Sequence, residues 1–96
     1  MILPGVNSTN KLDVLQEISS HLASREDLSA VSGTTIFDSV VQRENIGSTG
    51  VGDGVAIPHG KLAELSGVIG ALGISKQGIN YDAIDKKPVH LIFMLL

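Results

Sequence analysis

A chain of 96 residues with 43% hydrophobic and 18% charged side chains has room for one globular domain, spanning 1–96, and no more. A formal net charge of −3, one tyrosine and two phenylalanines supply neither the basic surface nor the stacking platforms of a nucleic-acid binder. The lack of cysteine excludes disulfides, thiolate metal sites and thiol catalysis, and it fits a cytoplasmic protein.

Met1-Ile-Leu-Pro4 lacks the basic start and apolar core of a signal peptide, and Leu91–Leu96 is too short to cross a bilayer, so no membrane insertion is expected. Asn7-Ser8-Thr9 matches a glycosylation acceptor; without a secretory signal it reads as a chance match or a helix cap. A first helix is predicted over Lys11–Arg25. Leu12, Leu15, Ile18 and Leu22 recur on one face, Val14 joins them, Ser8, Thr9 or Asn10 caps the start, and Asp13 suits the first turn. His21 borders that stripe and reads as a boundary side chain. A second helix follows Gly33, capped by Thr34 or Thr35, with Ile36, Phe37, Val40 and Val41 as its apolar face. Arg43 falls near its C-terminus, where complementing the helix dipole is reason enough for a cation.

Gly47–Gly54 cannot be regular helix, since each glycine costs about 1 kcal/mol relative to alanine. Val55–Ile57 is a short apolar strand stopped by Pro58, so His59 emerges at a stiff corner past a strand end, with Gly60 leaving space beside it. Open α/β sheets bind ligands at such places. Gly67–Ser75 alternates as a strand covered on both sides, Lys76–Gly78 reads as a turn, and Asp82–Lys87 as a polar connection in which Asp82 and Asp85 form turns. A last strand starts at Pro88. His90 is expected on the side of Ile92 and Met94, either bonded locally or set beside His59 as an orienting group. The strand is apolar on both faces and the chain stops with it. The expectation is therefore a domain truncated at its C-terminus, whose uncovered strand drives self-association. Two helices and then strands argue for an α/β fold, a mixed β-sheet flanked by helices.

The glycine-rich stretch fails as a Walker A loop, because Val55 stands where a glycine is needed and Leu62 where Ser or Thr is needed. It fails as a dinucleotide fingerprint at Val55 again, and because a helix precedes it. Ser48 lacks the G-x-S-x-G elbow, and His21, His59 and His90 share no metal-ligand spacing. Phosphohistidine chemistry needs what is present. A histidine held neutral can take a phosphoryl group, while glycine N–H groups, the Ser48 and Thr49 hydroxyls and Arg43 could hold the phosphoryl oxygens. A bland glycine loop is the competing reading of the same spacing.

The run Arg43-Glu-Asn-Ile-Gly-Ser-Thr-Gly-Val-Gly-Asp-Gly-Val-Ala-Ile-Pro-His-Gly-Lys-Leu62 resembles the phosphorylation-site signature of the fructose/mannitol-class IIA (type 2 EIIA) domains of the bacterial phosphoenolpyruvate-dependent phosphotransferase system. Asp82–Leu96 is similar to the strand region that follows in that family, and both stretches look most like its nitrogen-regulatory branch. The resemblance implies that His59 accepts phosphate from a histidine phosphocarrier protein, that Arg43 is the active-site arginine, and that downstream regulatory proteins are partners. Ser48, Thr49, Gly50 and Gly60 are the supporting loop, and no metal or organic cofactor is implied. His90 stands where the family usually has an acidic residue, and the family's second active-site histidine lies beyond Leu96. A docking module that carries no phosphate and a fructose/mannitol transport component are the alternatives.

Overall fold

A computed structural model describes residues 1–25, 31–63 and 67–96. In chain order these form β1 (Ile2–Leu3), α1 (Lys11–Ala23), α2 (Gly33–Glu44), β2 (Gly50–Gly52), β3 (Val55–Ala56), β4 (Gly70–Ile79) and β5 (Val89–Leu95). The strands make one mixed sheet in the order β1-β4-β5-β3-β2. β1 pairs parallel with β4 and β3 parallel with β5, whereas β4–β5 and β2–β3 are antiparallel. The expected α/β class, with a mixed sheet flanked by helices, is what the chain adopts.

Asn10 caps α1: its side-chain oxygen accepts the Asp13 N–H at 3.0 Å, leaving one fewer orphan donor in the first turn. The buried arc of α1 centres on Val14, Leu15, Ile18, Ser19 and Leu22. Leu12 lies at its edge and is 55% exposed, so the predicted stripe is displaced by part of a turn. α2 begins two residues earlier than the nearer threonine suggested. Ser32 is its cap, accepting the Thr35 N–H at 3.1 Å, and Ile36, Val40 and Glu44 form its buried stripe.

Two strand readings are corrected. Lys76–Gly78 is not a turn between strands; β4 runs through it to Ile79 with a register shift between Ile74 and Ile79. Gly78, at φ 89°, absorbs the irregularity, and a Cβ there would lie 2.9 Å from the Pro88 side chain. The second correction concerns β5. The N–H groups of His90 and Leu91 both donate to the Gly54 carbonyl, at 2.8 and 2.9 Å, the signature of a bulge. The bulge resets the alternation, so Val89, Ile92 and Met94 face inward together and His90 faces out, opposite to the side predicted for it.

The helices cover one face of the sheet. Gly73 sits under Ile18, whose side chain a Cβ would meet at 3.1 Å, and Met94 Sδ lies 4.0 Å from the Ser19 hydroxyl. β5 is central and buried on this side. On the opposite face the cross-strand pairs Leu72–Phe93, Ile74–Leu91 and Gly70–Leu95 carry apolar groups that stay partly open to solvent. Among the described residues no helix is long and apolar enough to cross a membrane.

Candidate functional site

His59 is held by the end of the central strand. The Leu95 N–H donates to the Pro58 carbonyl at 2.9 Å and the Gly60 N–H to the Leu95 carbonyl at 3.1 Å, so residues 58–60 extend the line of β3 parallel to β5. Pro58 is buried and His59 exposed. Gly60 is required by close approach: a Cβ there would sit 2.4 Å from Ser39 Oγ and 3.0 Å from the Ser39 carbonyl carbon, inside α2. The stiff corner predicted from Pro58 is thus also pinned from two sides.

The imidazole has a defined orientation. His59 Nδ1 lies 2.9 Å from the Ile57 carbonyl, which only accepts hydrogen bonds. Nδ1 therefore carries the proton of the neutral ring, and Nε2 keeps its lone pair. Arg43, in the last turn of α2, donates from Nη1 to the Gly47 carbonyl at 2.8 Å. That bond uses one of five guanidinium donors. Two adjoining clefts share Arg43 and His59 in their walls; Ile46 and Gly60 line one, and Ser48, Val51, Ile57 and Ile84 the other. Histidine and arginine thus meet at one exposed place.

The supporting loop divides. Ser48 Oγ accepts the Gly50 N–H at 3.1 Å, a local turn bond that leaves its hydroxyl hydrogen free to donate. Thr49 is buried, and both its N–H and its hydroxyl are directed at the Glu44 carboxylate. Gly50 approaches Ala83 so closely that a Cβ would stand 2.7 Å from its Cα. Asp53 and Gly54, at φ 56° and 79°, make the tight β2–β3 turn for which an Asp-Gly pair is suited.

His90 does not join the site. Its Nδ1 meets the Ser75 carbonyl at 2.8 Å, and it lies five residues along β5 from Leu95, the residue opposite His59, a separation of about 16 Å at strand rise. Asp85 works as a turn former, accepting the N–H groups of Asp53 and Lys87 at 3.1 Å each; its carboxyl is held below the usual range by the Lys87 bond first and the Asp53 bond second. Asp82 pairs with Lys86 at 2.8 Å on the exposed surface.

Glu44 is the residue the sequence reading passed over. It ends α2, yet its side chain is only 3% exposed. Tyr81 donates to Glu44 Oε1 at 3.0 Å and the Lys11 ammonium lies 3.1 Å from Oε2, with its charge 4.9 Å above the Tyr81 ring. Burial pushes the Tyr81 phenol well above its ordinary range, and the Glu44 charge adds to this. The available signal was periodicity: Glu44 continues the Ile36–Val40 stripe at the next i+4 position. Among the described residues no group of three or more His, Cys, Asp or Glu side chains is placed to hold a metal.

The chain is 38% identical over 95 residues to a nitrogen regulatory protein of Bradyrhizobium diazoefficiens, covering 99% of this chain and 60% of that one. It is 45% identical over 83 residues to the Klebsiella oxytoca nitrogen regulatory protein, covering 83% of this chain and 49% of that one. The fold superposes on the crystal structure of nitrogen regulatory protein IIA-Ntr from Neisseria meningitidis with a TM-score of 0.88 at 39% identity, covering 99% of this chain and 63% of that chain. It shares its fold with IIA mannitol from Escherichia coli at a TM-score of 0.78, 15% identity and 98% and 66% coverage. The chain therefore spans about half to two-thirds of the length of these relatives. All of residues 1–96 match one family, and the chain belongs to it: EIIA type 2 of the phosphoenolpyruvate-dependent sugar phosphotransferase system.

Proposed function

We propose that this chain is a cytoplasmic phosphoryl carrier with a nitrogen-related regulatory output, loaded on His59 Nε2 by a histidine phosphocarrier protein. The observation that carries the reading is the His59 Nδ1–Ile57 carbonyl bond, which leaves Nε2 as the lone-pair nitrogen in the clefts it shares with Arg43. In the transfer, a phosphorus–nitrogen bond forms at His59 Nε2 as the donor's phosphorus–nitrogen bond breaks. The electron pair returns to the donor ring, and each imidazole keeps the proton on its other nitrogen. Phosphoryl transfer is governed by positioning and charge stabilisation, so Arg43 and the Ser48 hydroxyl act on the equatorial oxygens, while Thr49, Gly50 and Gly60 hold the frame.

The surroundings suit a protein donor. Ile46, Val51, Ile57 and Ile84, exposed by 82%, 55%, 36% and 72%, ring the clefts and offer apolar contact area to an incoming carrier. The regulatory branch is supported by the nitrogen regulatory proteins among the relatives at 38–45% identity. The test is incubation with a phosphoenolpyruvate-driven donor cascade. The wild-type chain should gain one acid-labile phosphate, assigned to Nε2 by phosphorus NMR, and His59→Ala should gain none while keeping its fold. Equal labelling of His59→Ala refutes the assignment, and an unlabelled wild type supports a docking module instead.

A further inference from the structure

The buried Glu44 carboxylate stands in an electrostatically awkward place. It is at the C-terminal end of α2, where the helix dipole disfavours an anion, and it is nearly removed from water. Four donors offset this: the Thr49 N–H at 3.3 Å, the Thr49 hydroxyl, the Tyr81 hydroxyl at 3.0 Å and the Lys11 ammonium at 3.1 Å. An apolar side chain would continue the Ile36–Val40 stripe at lower cost. What the carboxylate does that leucine could not is seize the loop in front of β2.

From that grip a line of hydrogen bonds leads to the candidate nucleophile. Glu44 accepts the Thr49 N–H. The Thr49 carbonyl accepts the Ile57 N–H at 2.9 Å, and the Ile57 carbonyl faces His59 Nδ1 at 2.9 Å. The neighbouring bond runs alongside: Arg43 clips the Gly47 carbonyl from outside while Glu44 holds Thr49 from inside, so two consecutive residues fix the same turn. We propose that Glu44, neutralised by Lys11, is a positioning residue for the His59–Arg43 site, setting the carbonyl that holds the imidazole in its Nδ1–H tautomer. This rests on the reading of His59 as the phosphoryl acceptor, since only then does the tautomer control a reaction. Glu44 touches neither ring nor phosphate; it acts through Thr49 and Ile57.

The test uses Glu44→Gln and the double variant Lys11→Met/Glu44→Gln, which leaves no unpaired buried charge and so guards against simple unfolding. Two quantities are read well below each variant's melting temperature. One is the nitrogen chemical shifts of the His59 ring without any phosphoryl donor. The other is the initial labelling rate at saturating carrier protein, per folded molecule. A positioning role predicts a shift from the Nδ1–H tautomer toward a mixture in both variants. It also predicts labelling slowed about tenfold to a hundredfold, as expected for a nucleophile misplaced by a fraction of an ångström to an ångström. A purely structural role predicts lower melting temperatures with wild-type ring shifts and rates, and that result overturns the proposal. If the wild-type chain takes no phosphate at all, the acceptor reading fails, and the ring shifts alone still decide whether Glu44 sets the tautomer.

Discussion

Replacing Gly50 with alanine separates a glycine kept for space from one kept for backbone freedom. Gly50 has no positive φ, so the strain argument for glycine does not apply there. Its Cβ would instead lie 2.7 Å from both Cα and Cβ of Ala83 and 3.2 Å from Tyr81 Cδ1. Carbon atoms rest at about 3.5–4.0 Å, so the two segments must part by about 0.8 Å or more. They are joined by the Ile84 N–H to Gly50 carbonyl bond at 2.9 Å, and parting stretches it beyond useful range. The lost bond costs about 1 kcal/mol and the overpacking about 1–3 kcal/mol, against a gain of about 0.4–1 kcal/mol from stiffening the unfolded chain. The net is about 2 kcal/mol, which for a domain of this size lowers the melting temperature by about 8–16 °C. Gly47→Ala is the matched control: among the described residues nothing lies within 4 Å of its Cβ, and it should melt at or slightly above wild type. Thermal unfolding followed by circular dichroism reads both. A Gly50→Ala chain that melts within about 2 °C of wild type refutes the close-approach argument.

Arg43→Lys keeps the charge at the end of α2 but loses the planar fork that bonds Gly47, so phosphoryl transfer per folded molecule should fall more than stability does; equal melting loss and unchanged transfer would reverse that order. Tyr81 is pushed upward chiefly by burial and then by Glu44, so the folded chain holds the phenol proton more tightly than the unfolded one. The resulting stability is complete below the ordinary phenol value of 10.0 and is lost as the pH rises above it; denaturant midpoints should fall from about pH 10 upward, and Tyr81→Phe should remove that part of the slope. The outer sheet face carries Phe93, 42% exposed, and Leu91, 41% exposed, beside Leu72 and Ile74, so light scattering on this chain should report self-association, with Phe93→Lys restoring the monomer; a monomeric wild type would mean that the face tolerates water.

Much of this protein is local physics. Asn10 and Ser32 cap helices because their side chains reach N–H groups three residues on, and the apolar arcs of α1 and α2 follow from a 3.6-residue turn acting on Val14–Leu22 and Ile36–Val40. Pro58 stiffens the segment just past β3 from which His59 emerges, and Arg43 stands in the last turn of α2. Those features, with the spacing between them, made the candidate site legible before any fold was known. What a one-dimensional reading lacked was every distance between residues far apart in the chain. The side on which His90 falls depends on a bulge in which two N–H groups share the Gly54 carbonyl, thirty-six residues upstream of His90. The sequence suggests that Gly60 leaves space beside His59 and that Gly50 supports the loop, but only the tertiary structure shows Ser39 pressing on the one and Ala83 on the other. Glu44 is marked locally only by its place one turn after Val40; its role shows once Lys11, Thr49 and Tyr81 converge on its carboxylate. Caps, turns and periodicity are set by neighbours along the chain. Close approaches, bulges and buried charge networks are set by which strands pair, and that choice belongs to the sheet as a whole.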